Sequence, residues 1–143
     1  MSDQHGYYLE DLSIGQSAQM SRVVTEETIN KFAEISGDTN PVHLDEDYAK
    51  TTLFKGRIAH GMLAASYVSA VFGTQLPGPG AIFVSESLRF KAPVRIGDEV
   101  VASVTIRDIN MEKRRVTFDC ACTVNDKVVM DGEALIMVDR RTD

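Results

Sequence analysis

The chain has 143 residues, of which 43% are hydrophobic and 25% are charged. This length is typical of one domain, and the balance excludes a disordered, collagenous or repeat-only chain. Lys and Arg number 15 against 21 Asp and Glu, and the net charge of −6 argues against a surface for nucleic acid or for an anionic membrane. We therefore expect a single domain over residues 1–143, with no nucleic-acid partner and no membrane partner.

The sequence predicts a cytoplasmic protein. Residues 1–6 contain neither a basic nor an apolar stretch, so we expect no signal peptide. The longest apolar stretch, residues 62–72, contains two serines and is too short to cross a bilayer. Cys120 and Cys122 share one side of a strand-like run, where they cannot easily bond to each other and are too few for a metal site. We expect two buried free thiols in a reducing compartment.

The first part of the chain predicts a strand and then helices. Residues 16–24 alternate apolar and polar side chains, which is typical of a short strand. Thr25 is a suitable N-cap, carboxylates follow it in the first turn, and Gly37 ends the predicted helix. Residues 37–41 then predict a tight loop, and a short helix follows over residues 46–50.

A second, longer helix is predicted from about His60 to Gln75. Its apolar side chains lie all round it, so it should be enclosed by other structure. The hydrophobic period then changes to two, which predicts strands over four ranges: 81–90, 99–109, 113–124 and 128–138. Short connections between these strands favour an antiparallel meander.

This order of elements predicts an α+β protein with the hot-dog fold, in which a curved antiparallel sheet wraps around a long central helix. A sheet of this kind has an exposed edge and leaves one flank of its ligand site open. We therefore expect a homodimer, with a higher homo-oligomer as the alternative.

Asp38, Asn40 and His43 form the first candidate site. A carboxylate and an imidazole this close together, on a loop beside an apolar helix, suit proton transfer near neutral pH. In the alternative interpretation Asp38 caps a turn and His43 is a satisfied loop histidine. Spacing alone favours the alternative, because Asp-x-Asn-Pro is also ordinary turn chemistry.

The start of the second helix is another candidate site. The first turn of a helix presents free backbone N–H groups and a partial positive charge, and Gly61 would let a ligand carbonyl approach them. We expect His60 to cap or pack rather than to catalyse. Ser66 and Ser69 lack the Gly-x-Ser-x-Gly context of an activated nucleophile, so we expect them to bond a backbone carbonyl or to shape a cavity.

The segment FAEISGDTNPVH at residues 32–43 resembles the hydratase 2 motif of the MaoC-like (R)-specific enoyl-CoA hydratases. The segments IAHGML at 58–63, LRFKAPV at 88–94 and GD at 97–98 resemble further parts of that family. The resemblance extends from about residue 13 to residue 138 and is to the short form that supplies polyhydroxyalkanoate monomers. It reverses the preference stated above and favours the catalytic interpretation of the loop.

The resemblance implies syn addition of water to trans-2-enoyl-CoA, which gives (R)-3-hydroxyacyl-CoA. Asp38 and His43 match the catalytic pair of the family, and the sequence leaves open which of them is the base for each proton. The backbone N–H of Gly61 matches the donor to the thioester oxygen, and Asn40 matches a position that braces the loop. We expect neither a metal nor a bound cofactor, because CoA is part of the substrate.

The resemblance also implies that the acyl chain lies along the central helix, lined by Ser69 and Phe72. The ring of Phe72 predicts a short acyl group, and Arg89 and Lys91 are candidates for binding the CoA phosphates. Two other functions are considered: a hot-dog acyl-CoA thioesterase and a non-catalytic acyl-CoA-binding module. A thioesterase of this fold usually carries a carboxylate on the central helix, and residues 62–75 contain no Asp or Glu.

Overall fold

A computed structural model of the chain describes residues 4–141. The expectation about the amino-terminal residues 1–6 therefore falls in part outside the described residues. After a short 3-10 helix, the elements in chain order are β1 Ser17–Val23, α1 Glu26–Ser36, α2 Pro41–Leu44, α3 Glu46–Ala49, α4 Gly61–Thr74, β2 Ile82–Phe90, β3 Glu99–Asn110, β4 Arg115–Val124 and β5 Lys127–Met137.

The predicted ends of α1 are confirmed. The hydroxyl of Thr25 accepts a hydrogen bond from the Thr28 N–H at 3.1 Å, and Gly37 ends the helix in the left-handed region with φ of 80°. The sequence analysis missed one element, the single turn α2, which begins at the last residue of the predicted tight loop. Asn40 and Pro41 are turn residues, but they are also a good N-cap and a good first helical residue, and here they act as both.

The predicted meander of four consecutive strands is wrong. The strand order is β1-β3-β4-β5-β2, and all neighbours are antiparallel. Only β3, β4 and β5 form a meander, because residues 91–98 are not a hairpin. Lys91 donates to the Val129 carbonyl at 2.8 Å and Ala59 donates to the Val94 carbonyl at 2.7 Å. These bonds hold residues 91–98 across one end of the sheet. As a result, β2 lies at one edge of the sheet beside β5, and β3 pairs with β1 at the opposite edge.

The sheet curves around α4 and forms the core with it. Val68, Val71 and Phe72 of α4 are at most 2% exposed, and so are Phe118 and Ile136 on the facing side of the sheet. This burial agrees with the predicted fold. Among residues 4–141 no helix is long and apolar enough to cross a membrane.

The expectation that the central helix is enclosed on every side is wrong for a single chain. Met62 is 53% exposed, and Ser66 and Ser69, which follow it at helical spacing, are exposed as well. Beside this face, the edge strand β2 exposes apolar side chains, with Ile82 and Val84 at 51% and 45%. One curved sheet covers only one side of a helix, which is why this face of α4 stays open.

Candidate active site

Local hydrogen bonds shape the loop that carries Asp38. The hydroxyl of Ser36 donates to the Phe32 carbonyl at 2.6 Å and accepts from the Asp38 N–H at 3.1 Å. The Asp38 carboxylate accepts from the Asn40 N–H at 3.2 Å, and the side-chain oxygen of Asn40 accepts from the Val42 N–H at 3.1 Å. Asn40 therefore begins α2 and braces the loop, while the Asp38 side chain remains exposed.

The single turn α2 places His43 inside the protein, at 9% exposure. Its Nδ1 lies 2.8 Å from the Ile58 carbonyl oxygen, which can only accept, so we assign the proton of the neutral ring to Nδ1. Burial lowers the pKa of His43 below its ordinary value, and the nearby His60 lowers it further. The hydrogen bond to Ile58 and the charge of Asp38 raise the pKa but do not outweigh burial. His43 is therefore neutral at pH 7, with a bare Nε2 that suits a base.

Asp38, His43 and His60 meet at one place. One donor or acceptor atom from each lies within 4.8 Å of the other two. Three atoms that lie no more than 4.8 Å from one another can all be reached from one point at a distance of about 2.8 Å or less, so one water could hydrogen-bond to all three. The same three side chains are a possible metal set. However, the His43 and His60 rings stack at 3.9 Å with planes 26° apart, so their in-plane lone pairs do not converge at the roughly 2.1 Å bond length of a metal.

A cavity of about 610 Å³ extends from His43 and His60 to the start of α4, and Asp38 is not among its lining residues. His43, His60 and Gly61 line it at one end, and apolar side chains that include Phe54 and Phe90 line most of the rest. Gly61 is the first residue of α4, so its N–H has no partner within the helix. A methyl group on Gly61 would lie 2.9 Å from the Phe90 ring, which is a second reason for glycine at this position and one that the sequence analysis missed.

The two residues predicted to line the acyl chain lie in different surroundings. Ser69 lines a groove of about 480 Å³ on the open face of α4, together with Phe32 and Phe83. Phe72 lines neither this groove nor the larger cavity and is 2% exposed. Its ring contacts the Phe83 ring edge-on, with centroids 5.3 Å apart. Phe72 therefore affects the groove only indirectly, by packing against Phe83, which lines it. As predicted, Ser66 donates to a backbone carbonyl, that of Leu63, at 2.6 Å.

Arg89 and Lys91, predicted together for the CoA phosphates, diverge. Lys91 lines the large cavity, whereas Arg89 lies on the outer face of the sheet beside Arg107 and Glu133. Both contact the carboxylate of Asp131, Lys91 at 2.9 Å and Arg89 at 3.3 Å. These bonds lower the pKa of Asp131, the one from Lys91 most. The role of Asp131 was missed because Arg89 lies opposite it only once β2 pairs with β5.

Comparison with known families identifies the chain. Residues 12–129 match the family model described as MaoC like domain. This chain belongs to the MaoC-like family. The hot-dog fold is confirmed as well, since the described residues superpose on an (R)-hydratase from Aeromonas caviae involved in PHA biosynthesis. The TM-score is 0.87 at 38% identity, covering 90% of this MaoC-like chain and 98% of that one.

Curated relatives are similar over most of their length. An (R)-specific enoyl-CoA hydratase from Rhodospirillum rubrum is 58% identical over 135 residues, which is 94% of each chain. A 3-hydroxybutyryl-CoA dehydratase from Methylorubrum extorquens is 47% identical over 134 residues, covering 94% of this MaoC-like chain and 85% of the relative. The first name describes a hydration and the second a dehydration.

Proposed function

We propose that this MaoC-like protein is an (R)-specific enoyl-CoA hydratase that adds water syn to trans-2-enoyl-CoA and yields (R)-3-hydroxyacyl-CoA. One observation carries the proposal: a donor or acceptor atom of Asp38 and one of His43 lie within 4.8 Å of each other, close enough to share one water, and the cavity beside His43 leads to the first residue of α4. The names of the two curated relatives support the same reaction.

Hydration needs three groups, and the chain supplies each of them. A base takes a proton from water as its oxygen attacks C3, and an acid gives a proton to C2 from the same face. Asp38 and the bare Nε2 of His43 act as a pair: the pair takes one proton from water as the water oxygen bonds to C3 and returns that proton to C2, so it ends in its starting protonation state. The Gly61 N–H donates to the thioester oxygen, on which negative charge develops. Groups of these kinds contribute roughly 10²–10⁴-fold for acid–base catalysis and about 10²–10³-fold for one oxyanion donor, so the reaction requires no metal and no bound cofactor.

The cavity and the groove divide the substrate between them. The large cavity takes the thioester and the adjoining part of CoA. Lys91, which also contacts Asp131 at 2.9 Å, lies at its wall, where its ammonium group can donate to a phosphate. The acyl chain follows the groove on α4, which Ser69 lines and which Phe83, supported by Phe72, narrows. This arrangement favours a short acyl group, as does the four-carbon substrate in the name of the Methylorubrum extorquens relative.

Chain length is tested by steady-state rates on a series from crotonyl-CoA to dodecenoyl-CoA. We expect kcat/KM to fall as the acyl chain grows, and Phe83→Ala to extend the range towards longer chains. A flat or rising series in the wild-type protein would contradict the short-chain assignment.

We further propose that the protein is a homodimer. The support is the open face of α4 next to the apolar edge strand β2, whose outer backbone groups have no neighbouring strand among the described residues. A second copy would cover both features through a two-fold axis. Light scattering should give twice the chain mass, and Val84→Lys should give monomers; a wild-type protein that is monomeric at assay concentration would refute it.

The protein is assigned to the cytoplasm because Cys120 and Cys122 are both buried free thiols. Burial raises the pKa of each to about 12. These thiols should therefore react only slowly with a thiol reagent in the folded protein.

The decisive experiment follows the loss of enoyl absorbance when crotonyl-CoA is added to the pure protein. Asp38→Asn and His43→Ala should each abolish turnover, while circular dichroism and light scattering show an unchanged fold and assembly. Product chirality is read with an (R)-specific 3-hydroxyacyl-CoA dehydrogenase. If either variant kept substantial activity, the assigned pair would be wrong.

The same reaction, followed with a thiol reagent, tests the thioesterase alternative. No free CoA should appear, and the slow reaction expected of Cys120 and Cys122 keeps the background low. Such a thioesterase would need an acidic residue on the central helix. The helix α4, from Gly61 to Thr74, contains none. Binding of crotonyl-CoA without any turnover would instead favour a non-catalytic module.

A further inference from the structure

We propose that His60 is a positioning residue for the hydration: its imidazole fixes the Asp38 loop to the start of α4. This inference rests on the proposed function, because it concerns how Asp38, His43 and the Gly61 N–H are held in one arrangement. His60 precedes Gly61 directly and is the N-cap residue of α4, yet its side chain makes no capping hydrogen bond to the helix. Its ring is used elsewhere.

The ring of His60 bonds to the backbone of the catalytic loop. Its Nε2 lies 2.9 Å from the carbonyl oxygen of Asp38. Because a carbonyl only accepts, Nε2 carries the proton and donates. His60 directly precedes Gly61, whose N–H is the predicted oxyanion donor. The hydrogen bond from His60 therefore links this donor to the backbone of Asp38, which carries the carboxylate.

The ring of His60 is enclosed by other side chains. His60 is 3% exposed, and its Nδ1 is buried without any hydrogen-bond partner in the described part of the chain. The ring is packed between Phe32, at 4.9 Å between centroids, and His43, at 3.9 Å.

His60 also packs against the adjacent base. The rings of His60 and His43 stack with their centroids 3.9 Å apart, so the His60 ring supports one face of the His43 imidazole. Asp38 is the carboxylate that faces this pair. His60 thus has two effects on the site: it holds the Asp38 carbonyl and it keeps the His43 ring in place.

Two substitutions separate the hydrogen bond from the ring. His60→Phe keeps an aromatic ring between Phe32 and His43 but loses the N–H donor, whereas His60→Gln keeps an N–H donor and loses the ring. We expect kcat for crotonyl-CoA to fall about 10- to 100-fold in His60→Phe, because small displacements of reacting groups are costly, with KM within roughly 3-fold. His60→Gln should retain kcat within about 5-fold of the wild type. The proposal is overturned if His60→Phe turns over at the wild-type rate, or if His60→Gln loses as much activity as His60→Phe.

A second measurement needs neither variant to fold. Long-range ¹H–¹⁵N correlation spectra of the wild-type protein report which nitrogen of each histidine carries the proton. We expect the Nε2–H form for His60 and the Nδ1–H form for His43. The Nδ1–H form for His60 would overturn the proposal, because its Nε2 could then not donate to the Asp38 carbonyl. Failure of the wild-type protein to hydrate crotonyl-CoA would instead refute the proposed function, and these spectra would then decide the arrangement of His60.

Discussion

Gly61→Ala should reduce catalysis strongly while leaving the fold intact. The added methyl group would lie 2.9 Å from the Phe90 ring, so the ring must withdraw by about 0.5 Å to reach ordinary contact. Phe90 is 53% exposed and can move, and replacing Gly by Ala where no strain results stabilises by about 0.4–1 kcal/mol. We therefore expect the free energy of unfolding to change by less than about 1 kcal/mol. The methyl group nevertheless projects where the thioester oxygen must approach the Gly61 N–H, and kcat should fall about 10²–10³-fold.

The measurement combines crotonyl-CoA kinetics with urea unfolding of the wild type, Gly61→Ala, Phe90→Leu and the double variant. Phe90→Leu removes the ring that the methyl group would displace. If the methyl group acts on the amide, Gly61→Ala causes the same loss of kcat with Phe90 or Leu at position 90. The reasoning is refuted if Gly61→Ala retains the wild-type kcat, or if the loss disappears in the Phe90→Leu background, since displacement of the ring would then be the cause.

Three further results are expected. Burial lowers the pKa of His43 below 6.5, and the reaction needs the unprotonated Nε2 of this ring. As the pH is lowered, kcat/KM should therefore fall with a midpoint below pH 6.5. A midpoint above pH 6.5 would contradict the role of His43 as the base. Hydrogen bonds to the Gly6 carbonyl and, to a smaller extent, to Asp139 raise the pKa of His5 above 6.5. The stability that protonated His5 adds to the fold is therefore complete below pH 6.5 and is lost as the pH rises through the raised pKa. Urea unfolding at several pH values should thus show His5→Gln most destabilised below 6.5, and an equal effect at every pH would exclude this linkage. A methyl group at Gly132 would overlap the Ser87 carbonyl of the neighbouring strand, so Gly132→Ala should lower the free energy of unfolding by about 1–3 kcal/mol, and unchanged stability would show that β2 and β5 do not pair as described.

Local chemistry let the sequence predict the individual elements and the loop of the site. The ends of α1 at Thr25 and Gly37 were predictable, because N-cap and left-handed C-cap preferences depend on a few neighbouring residues. The same locality applies to Asn40, whose side chain bonds two residues ahead, and to the strands, whose alternation needs no knowledge of their partners. The resemblance of residues 32–43 added the pairing of Asp38 with His43, which spacing alone did not favour.

The tertiary structure decided what depends on contacts between distant parts of the chain. Alternation does not encode which strand lies beside which, so the place of β2 next to β5 followed only from the path of residues 91–98 across the sheet. That pairing in turn placed Asp131 opposite Arg89, where its carboxylate contacts both Arg89 and Lys91. His60 illustrates the same limit: it is 22 residues from Asp38 in sequence, and only the folded chain closes the bond between them. The sequence by itself thus determined the elements and the reactive loop, and the tertiary structure determined their neighbours, because hydrogen-bond preferences act over a few residues whereas packing joins segments that no local pattern connects.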